Sequence, residues 1–325
     1  MIRTLRHATL RTGERLRIAA LQAPAGRYAH AIRQFLSHKG QPWLTHVDLA
    51  NQGQVDDLET TYYVGFLGRA IAGNVMIVGD GRVGILGHVF TDPRHRRKGI
   101  CCELMAAAVE GFRLSGGLAL SLGTGHDSPP YRIYHGFGFR GIEPDNGHML
   151  FESHPGGLAR WFAPAPVRVA DVRWIHWAGI SLLFMQPEGD AIRSQAYGVF
   201  GPVGFEGGFL HLQAQRERLA VQAKVLVTRR GAAVGAAILQ RDPHWPAAIH
   251  TLDLFVHPNF EGSEDPLLRA LKLPKEARIQ AYLDAPSAGR ARALRRHGFR
   301  LEATLRGQLV RLGRATDVLL YSRRT

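Results

Sequence analysis

Hydrophobic and polar positions alternate along "ERLRIAALQ" (14–22) well enough to predict a first strand, after which the period changes. In "GRYAHAIRQFLSHKG" the residues Tyr28, Ile32, Phe35 and Leu36 recur at helical intervals, and Gly40 closes the segment. The run "TYYVGFLGRAIAGNVMIVGDGRVGILGHVFTDP" is β-rich, and turn glycines at Gly68 and at Gly79-Asp80-Gly81 divide it into three strands. A helix follows from about Gly99 to Leu114, with Leu104, Met105, Ala108 and Phe112 on one face. "GGLALSLGT" reads as a short buried strand, "PPYRIYHGF" as a proline-led helix and "GHMLFES" as a further strand. The predicted order is β, α, three strands, α, β, α, β.

The proline-bearing stretch 154–167 lacks clean periodicity and is the expected linker between a first domain, 1–153, and a second, 168–325. A Trp- and Gly-rich region without a readable pattern opens the second half. "AKVLVTRRGAAVGAAILQRD" then reads as a hairpin turning at Arg230-Gly231. The two halves repeat one another: "VFTDPRHR" (89–96) lies over "LFVHPNFE" (254–261), and "YHGFGFR" (134–140) over "LRRHGFR" (294–300). Two copies of one fold are the simplest account.

Chemistry gathers at "TDPRHRRKGICCELM" (91–105), where Arg94, Arg96, Arg97 and Lys98 crowd the start of the predicted helix. A helix N-terminus already presents unpaired N–H groups and the positive end of its dipole, so cations there are repelled unless an anion sits among them. Glycine lets the chain approach such an anion closely.

These residues resemble the GNAT superfamily of N-acetyltransferases. The acetyl-CoA signature of that family is Arg or Gln, two residues, Gly, one residue, then Gly or Ala; here it reads Arg96-Arg97-Lys98-Gly99-Ile100-Cys101, with Cys101 replacing the last small residue. The later signature, Tyr, three residues, Gly-Phe, is matched by "YHGFGF" from Tyr134 to Phe139. The resemblance covers roughly 14–152 well and 168–325 in outline. It implies two tandem GNAT-type domains of α/β class, each a mixed, mostly antiparallel twisted sheet flanked by helices. It also implies acetyl-CoA as acyl donor, held through the main chain of Val89, Phe90 and Thr91 and by the Arg96–Cys101 loop, with Asp127 where many members place an Asn that touches CoA. The implied reaction is direct attack by a neutral amine, the oxyanion being stabilised by a backbone N–H near Val89, with Tyr134 as hydrogen-bond or proton donor to the departing thiolate. A Tyr hydroxyl of pKa about 10 suits that task.

The amine must lose a proton first, and His88, His126 or Asp127 is within the region to take it, directly or through water. His88 lies on the strand leading to the anion loop, where the pleat decides which face it serves. Cys101, read as a nucleophile, would gain acidity from the helix start, but no Cys–His–Asp order accompanies it. In the second copy Glu261 replaces the arginine, Glu264, Asp265 and Pro266 take the places of Gly99, Ile100 and Cys101, and Leu294 replaces the tyrosine. Carboxylates and proline suit a helix start and repel phosphate, so this copy is expected to be degenerate.

The formal charge of +14 is spread over both halves without a block of like charges. It permits a nucleic-acid partner without requiring one, and no recognised RNA or DNA motif is present. Cys101 and Cys102 are the only cysteines, adjacent and unsuited to a disulfide framework. No apolar run approaches a membrane span or a signal core, so a cytoplasmic protein is expected, without a metal site. The function expected is acetyl transfer to a primary amine of a small molecule or peptide. The competing expectation is a non-catalytic acyl-CoA-responsive binding protein with a basic interaction domain. Asp48, Asp56, Asp57 and Glu59 in "HKGQPWLTHVDLANQGQVDDLE" either attract a cationic amine or form an ordinary solvated loop.

Overall fold

The computed structural model describes residues 2–218, 220–242, 245, 249–285 and 287–324. The chain divides into two compact units, 1–158 with 173–179, and 159–172 with 180–325. The stretch expected as a linker carries a short helix and leads into the first strand of the second sheet.

The first unit begins with β1 (Ile2–Thr9) and β2 (Arg15–Gln22), followed by α1 (Ala29–Phe35) and α2 (Trp43–Asn51). Three strands come next, β3 (Glu59–Leu67), β4 (Ala70–Gly79) and β5 (Val83–Thr91). Then follow α3 (Ile100–Leu114), β6 (Ala119–Gly123), α4 (Pro129–Gly136), β7 (Arg140–Gly141) and β8 (His148–Glu152). Among the described residues these strands form one sheet in the order β1-β2-β3-β4-β5-β6-β8-β7. The β5–β6 pair is parallel, because α3 carries the chain across, and the other neighbours are antiparallel.

The hairpins sit where the turn residues demanded. Gly68 (φ 59°) turns β3 into β4, and Asp80 accepts from the N–H groups of Arg82 (2.9 Å) and Val83 (2.8 Å) to turn β4 into β5. The apolar face of α3 packs on the sheet, with Leu104, Met105, Ala108 and Phe112 all buried. Each large side chain so buried contributes roughly 1.5–3 kcal/mol. The helix comes very close at Gly73, where an added Cβ would stand 2.7 Å from Ile100 Cγ2.

Three elements of the first unit escaped the sequence pattern, the two-residue β7 being one of them. β1 is a half-exposed edge strand of mixed polarity, made a strand by its ladder with β2. α2 occupies part of the stretch read as either a cation-attracting or a solvated acidic loop, and buries Leu44, His46, Val47 and Ala50.

The chain continues with α5 (Gly157–Trp161), β9 (Val167–Asp171) and α6 (Trp177–Phe184). The second unit continues with β10 (Ile192–Ser194), β11 (Val199–Phe200), α7 (Glu206–Arg218), β12 (Gln222–Thr228), β13 (Ala233–Arg241) and β14 (Ile249–Val256). It closes with α8 (Glu264–Ala270), β15 (Arg278–Asp284), α9 (Ala288–Arg296), β16 (Arg300–Arg311) and β17 (Arg314–Arg324). The larger sheet runs β16-β17-β15-β14-β13-β12-β9, again with one parallel pair, β14–β15. Both units therefore carry a mixed, mostly antiparallel sheet flanked by helices, as expected.

Candidate functional site

In the first unit β5 and β6 pair only from Val83–Ile85 against Ala119–Ser121, after which β5 runs on to Thr91 paired with β4 alone. The parting strands leave a fork. At its mouth lies a cleft of about 540 Å³ lined by Val89, Phe90 and Thr91 of β5, by His95, Arg96, Arg97, Gly99, Ile100, Cys101 and Cys102 of the helix approach, and by Pro129, Pro130, Ile133 and Tyr134 of α4. Arg11 completes the lining.

A β-bulge shapes the strand wall. Asn74 pairs with Phe90 and Met76 with Gly87, so His88 and Val89 together stand opposite the single residue Val75. His88 adopts φ 49°, a left-handed conformation uncommon for a side-chain-bearing residue. The Asn74 side-chain amide donates to the His88 carbonyl at 3.0 Å and so fixes the irregular peptide. A bulge of this kind re-aims the backbone next to a site.

The floor of the cleft is the start of α3, a helix of 15 residues with no side-chain cap. Its first-turn N–H groups have no intrahelical partners. Arg97 (φ 63°) and Gly99 (φ 97°) turn the chain into it, and a Cβ on Gly99 would meet no protein atom within 4 Å. By contrast Ser128 caps α4 at the Tyr131 N–H (3.3 Å). The uncapped start, flanked by Arg96 and Arg97, is built for an anion.

Not every expected residue joins the cleft. Lys98 turns away to pair with Glu14 at 2.7 Å. Arg94 is held by Asp92 (2.6 Å), which pulls the Asp92 carboxyl well below its usual range. Asp127 forms a two-point pair with Arg132 (3.1 Å each) at the surface and does not line the cleft. His126 faces Asp145 at 3.9 Å. Cys101 lines the cleft, but burial, with Cys102 beside it, pushes its thiol up to about 11, the opposite of an activated nucleophile. Tyr134 is on the wall, 8% exposed.

His88 is buried behind that wall rather than lining it. Burial first, then Lys39 and His38, lower its pKa to about 4, so the imidazole is neutral, and its Nε2 has no hydrogen-bond partner. Sequence reading missed Arg11, Asn74 and the lids of the β5 end, His38 and Trp43. Asn74 carried no signal, since one Asn inside a β-rich run has no periodicity of its own.

The second unit treats the same place differently. β14 pairs with β13 in unbroken register from Gly235–Val256 to Arg241–His250, so the bulge is gone. Into the fork between β14 and β15 comes β10. Asp284 accepts from the N–H groups of Ala191 and Ile192, the latter at 2.8 Å. Asp253 accepts from Ser194 Oγ (2.5 Å) and the Gln195 N–H (2.7 Å), and Arg290 donates to the carbonyls of Ile192 (3.0 Å) and Leu254 (2.8 Å). Glu264 accepts from the Gly262 N–H at 2.8 Å, supplying a carboxylate to the helix approach from within the chain. The cleft that remains, about 350 Å³, is walled by Asp190, Glu261 and Glu264 with Arg290.

Residues 28–139 match the acetyltransferase (GNAT) family model. They form a GNAT-family domain. No curated protein matches the chain. Solved structures similar to it include a putative acetyltransferase from Acinetobacter baylyi (16% identity, TM-score 0.41, covering 50% of this chain and 94% of that one). Others are a putative acetyltransferase from Salmonella typhimurium with its cofactor acetyl-CoA (17%, 0.39, 49% and 94%) and a ribosomal-protein-alanine N-acetyltransferase from Brucella melitensis (19%, 0.39, 49% and 99%). Within the GNAT domain the matched stretch spans the bulge, the uncapped helix start and Tyr134. An acetyltransferase is thereby indicated. Among the described residues no helix is long and apolar enough to cross a membrane, and no cluster of metal-ligating side chains occurs.

Proposed function

We propose that the protein is an acetyl-CoA-dependent N-acetyltransferase whose first unit, close to 1–153, is active and whose second, close to 168–325, keeps the scaffold without a cofactor site. One observation carries this reading: the bulged β5 end, an uncapped and arginine-flanked helix start, and Tyr134 all open onto the same cleft.

The lining fits the donor. Arg96, Arg97, Arg11 and the free N–H groups of α3 suit a pyrophosphate, while Val89, Phe90, Thr91, Ile133 and the two prolines offer a narrow, largely apolar channel with main-chain groups for a pantetheine arm. Bound acetyl-CoA supplies the thioester carbonyl that an amine attacks and the thiolate that departs as the new C–N bond replaces the C–S bond. The Val89 N–H, in the bulge and on the cleft lining, would be the donor for the carbonyl oxygen. Tyr134 donates a hydrogen bond or its proton on the thiolate side. His88, neutral at physiological pH, accepts from the incoming amine, and its weak basicity makes it pass the proton on to solvent. In the second unit β10 fills the fork and Glu264 takes up backbone donors, so no phosphate site is expected there.

Calorimetric titration with acetyl-CoA tests the reading. One site per chain, abolished by Arg96→Glu, together with amine-dependent CoA release, is the expected result. No binding would give the lead to a protein that uses the basic helix start for another anion, and two sites would overturn the account of the second unit. Binding without turnover would favour the non-catalytic acyl-CoA-responsive reading.

A further inference from the structure

The face of β3–β5 opposite α3 is covered by α1, α2 and the segment that joins them. Phe35 meets Phe90 edge-on (5.2 Å), the His38 ring lies over Phe90 (3.8 Å) and Trp43 approaches His88 edge-on (6.1 Å). The acceptor must come from this side, because the cleft on the other side of the bulge is taken by the donor. Two buried polar atoms without hydrogen-bond partners mark its endpoint, Asn74 Oδ1 and His88 Nε2. Buried polar groups left unpaired are costly, and here both border the bulged peptide where the reaction is placed.

The charges around this endpoint decide what chemistry suits it. The carboxylates of the 48–59 stretch are committed elsewhere. Asp48 pairs with Arg33 (3.1 Å), Asp56 accepts from the Trp174 N–H (2.8 Å), and Asp57 faces Arg173 (3.7 Å). Glu59 borders a small cavity beside Tyr63 and Phe112, on the α3 side. Lys39, in contrast, is half-buried, forms no ion pair among the described residues, and directly follows His38, whose ring lies over Phe90 at the end of β5. Its ammonium is itself disfavoured by burial. The acceptor approach thus carries an uncompensated positive charge, and the four acidic residues of the 48–59 stretch are not free to hold a second ammonium there.

Resting on the acetyltransferase reading above, we propose that the acceptor is a small amine that also carries a carboxylate, the carboxylate pairing with Lys39 while the amine reaches the bulge at His88 and Val89. A half-buried, unpaired ammonium gains a charge-assisted hydrogen bond from such a substrate, and Lys39 then serves as a specificity-determining residue that need not take part in the chemistry. Cationic amines without an acidic group are repelled.

The test measures CoA release with matched acceptors: α-amino acids, the same amino acids as amides, and linear diamines. The free acids are expected to show kcat/KM about 10- to 100-fold above their amides, the difference residing mainly in KM. Lys39→Glu should reverse the preference toward amides and diamines while leaving the acetyl-CoA affinity measured by calorimetry unchanged, which also shows that the variant is folded. Equal rates with acids and amides, a preference of the unaltered protein for diamines, or acetyl-CoA binding with no turnover of any free acid would each overturn this inference and leave the donor site standing. Failure to bind acetyl-CoA would remove the reading on which it rests, and the inference with it.

Discussion

Asn74 and His88 lie on neighbouring strands, and the side-chain amide of the first bonds the carbonyl of the second at 3.0 Å, where the ladder between β4 and β5 is broken. The left-handed His88 carries the carbonyl that accepts this bond, which ties the candidate oxyanion donor at Val89 to a residue outside every recognisable motif. Replacing Asn74 by Leu removes the donor from a buried position and should cost about 1–3 kcal/mol. We expect a lower denaturation midpoint and at least a tenfold weaker acetyl-CoA affinity, about 1.4 kcal/mol or more. An unchanged affinity would show that the bulge holds without it.

The four cations at the start of α3 should not be equivalent. Arg96 and Arg97 line the cleft, whereas Lys98 and Arg94 are engaged with Glu14 and Asp92. Arg96→Glu is expected to abolish acetyl-CoA binding, while Lys98→Ala and Arg94→Ala should keep the affinity within roughly threefold, since charges already held in ion pairs outside the cleft act on it mainly through a screened field. Calorimetry on the three variants decides it.

Tyr134 stands on the cleft wall, nearly buried. In Tyr134→Phe the ring packing against Phe139 (6.1 Å between centroids) is retained and only the hydroxyl is lost. Donor affinity should stay within about twofold while turnover drops roughly 100-fold, the usual range for losing a positioned proton donor. Parallel binding and steady-state measurements separate the two quantities.

His46 and His88 give the first unit an acid sensitivity. Burial lowers His46 to about 3 and His88 to about 4 from an ordinary 6.5. Between those values the unfolded chain binds protons that the folded one does not, so stability is full above about 6.5 and falls as the pH drops toward 4. Thermal melts from pH 7 to pH 4 should show a decreasing midpoint, and His46→Gln, which keeps an acceptor for Thr60 at the site of the 3.1 Å contact, should flatten part of the slope. An equal slope in the variant would exclude His46 as a contributor.

Much of the first unit was legible because it is encoded locally. The hairpin at Asp80-Gly81 follows from turn chemistry, and the buried face of α3 follows from the spacing of Leu104, Met105, Ala108 and Phe112. The anion loop was legible as well, since glycine and excess charge at a helix start are read within a few residues. The acidic helix start of the second copy, "EGSEDP", announced itself in the same way.

What the sequence by itself determined, then, was which segments fold locally and where an anion belongs. Tertiary structure alone decided which of the charged side chains are free to meet it. Lys98 is spent on Glu14 from the β1–β2 turn, and the filling of the second fork rests on bonds between Ala191, Ile192 and Ser194 and residues 59 to 98 positions distant. Such contacts leave no period in the chain. They arise only when the sheets assemble and bring distant strand ends together, and for that reason the bulge at His88, the pairing of Asn74 and the plug in the second unit had no local signature.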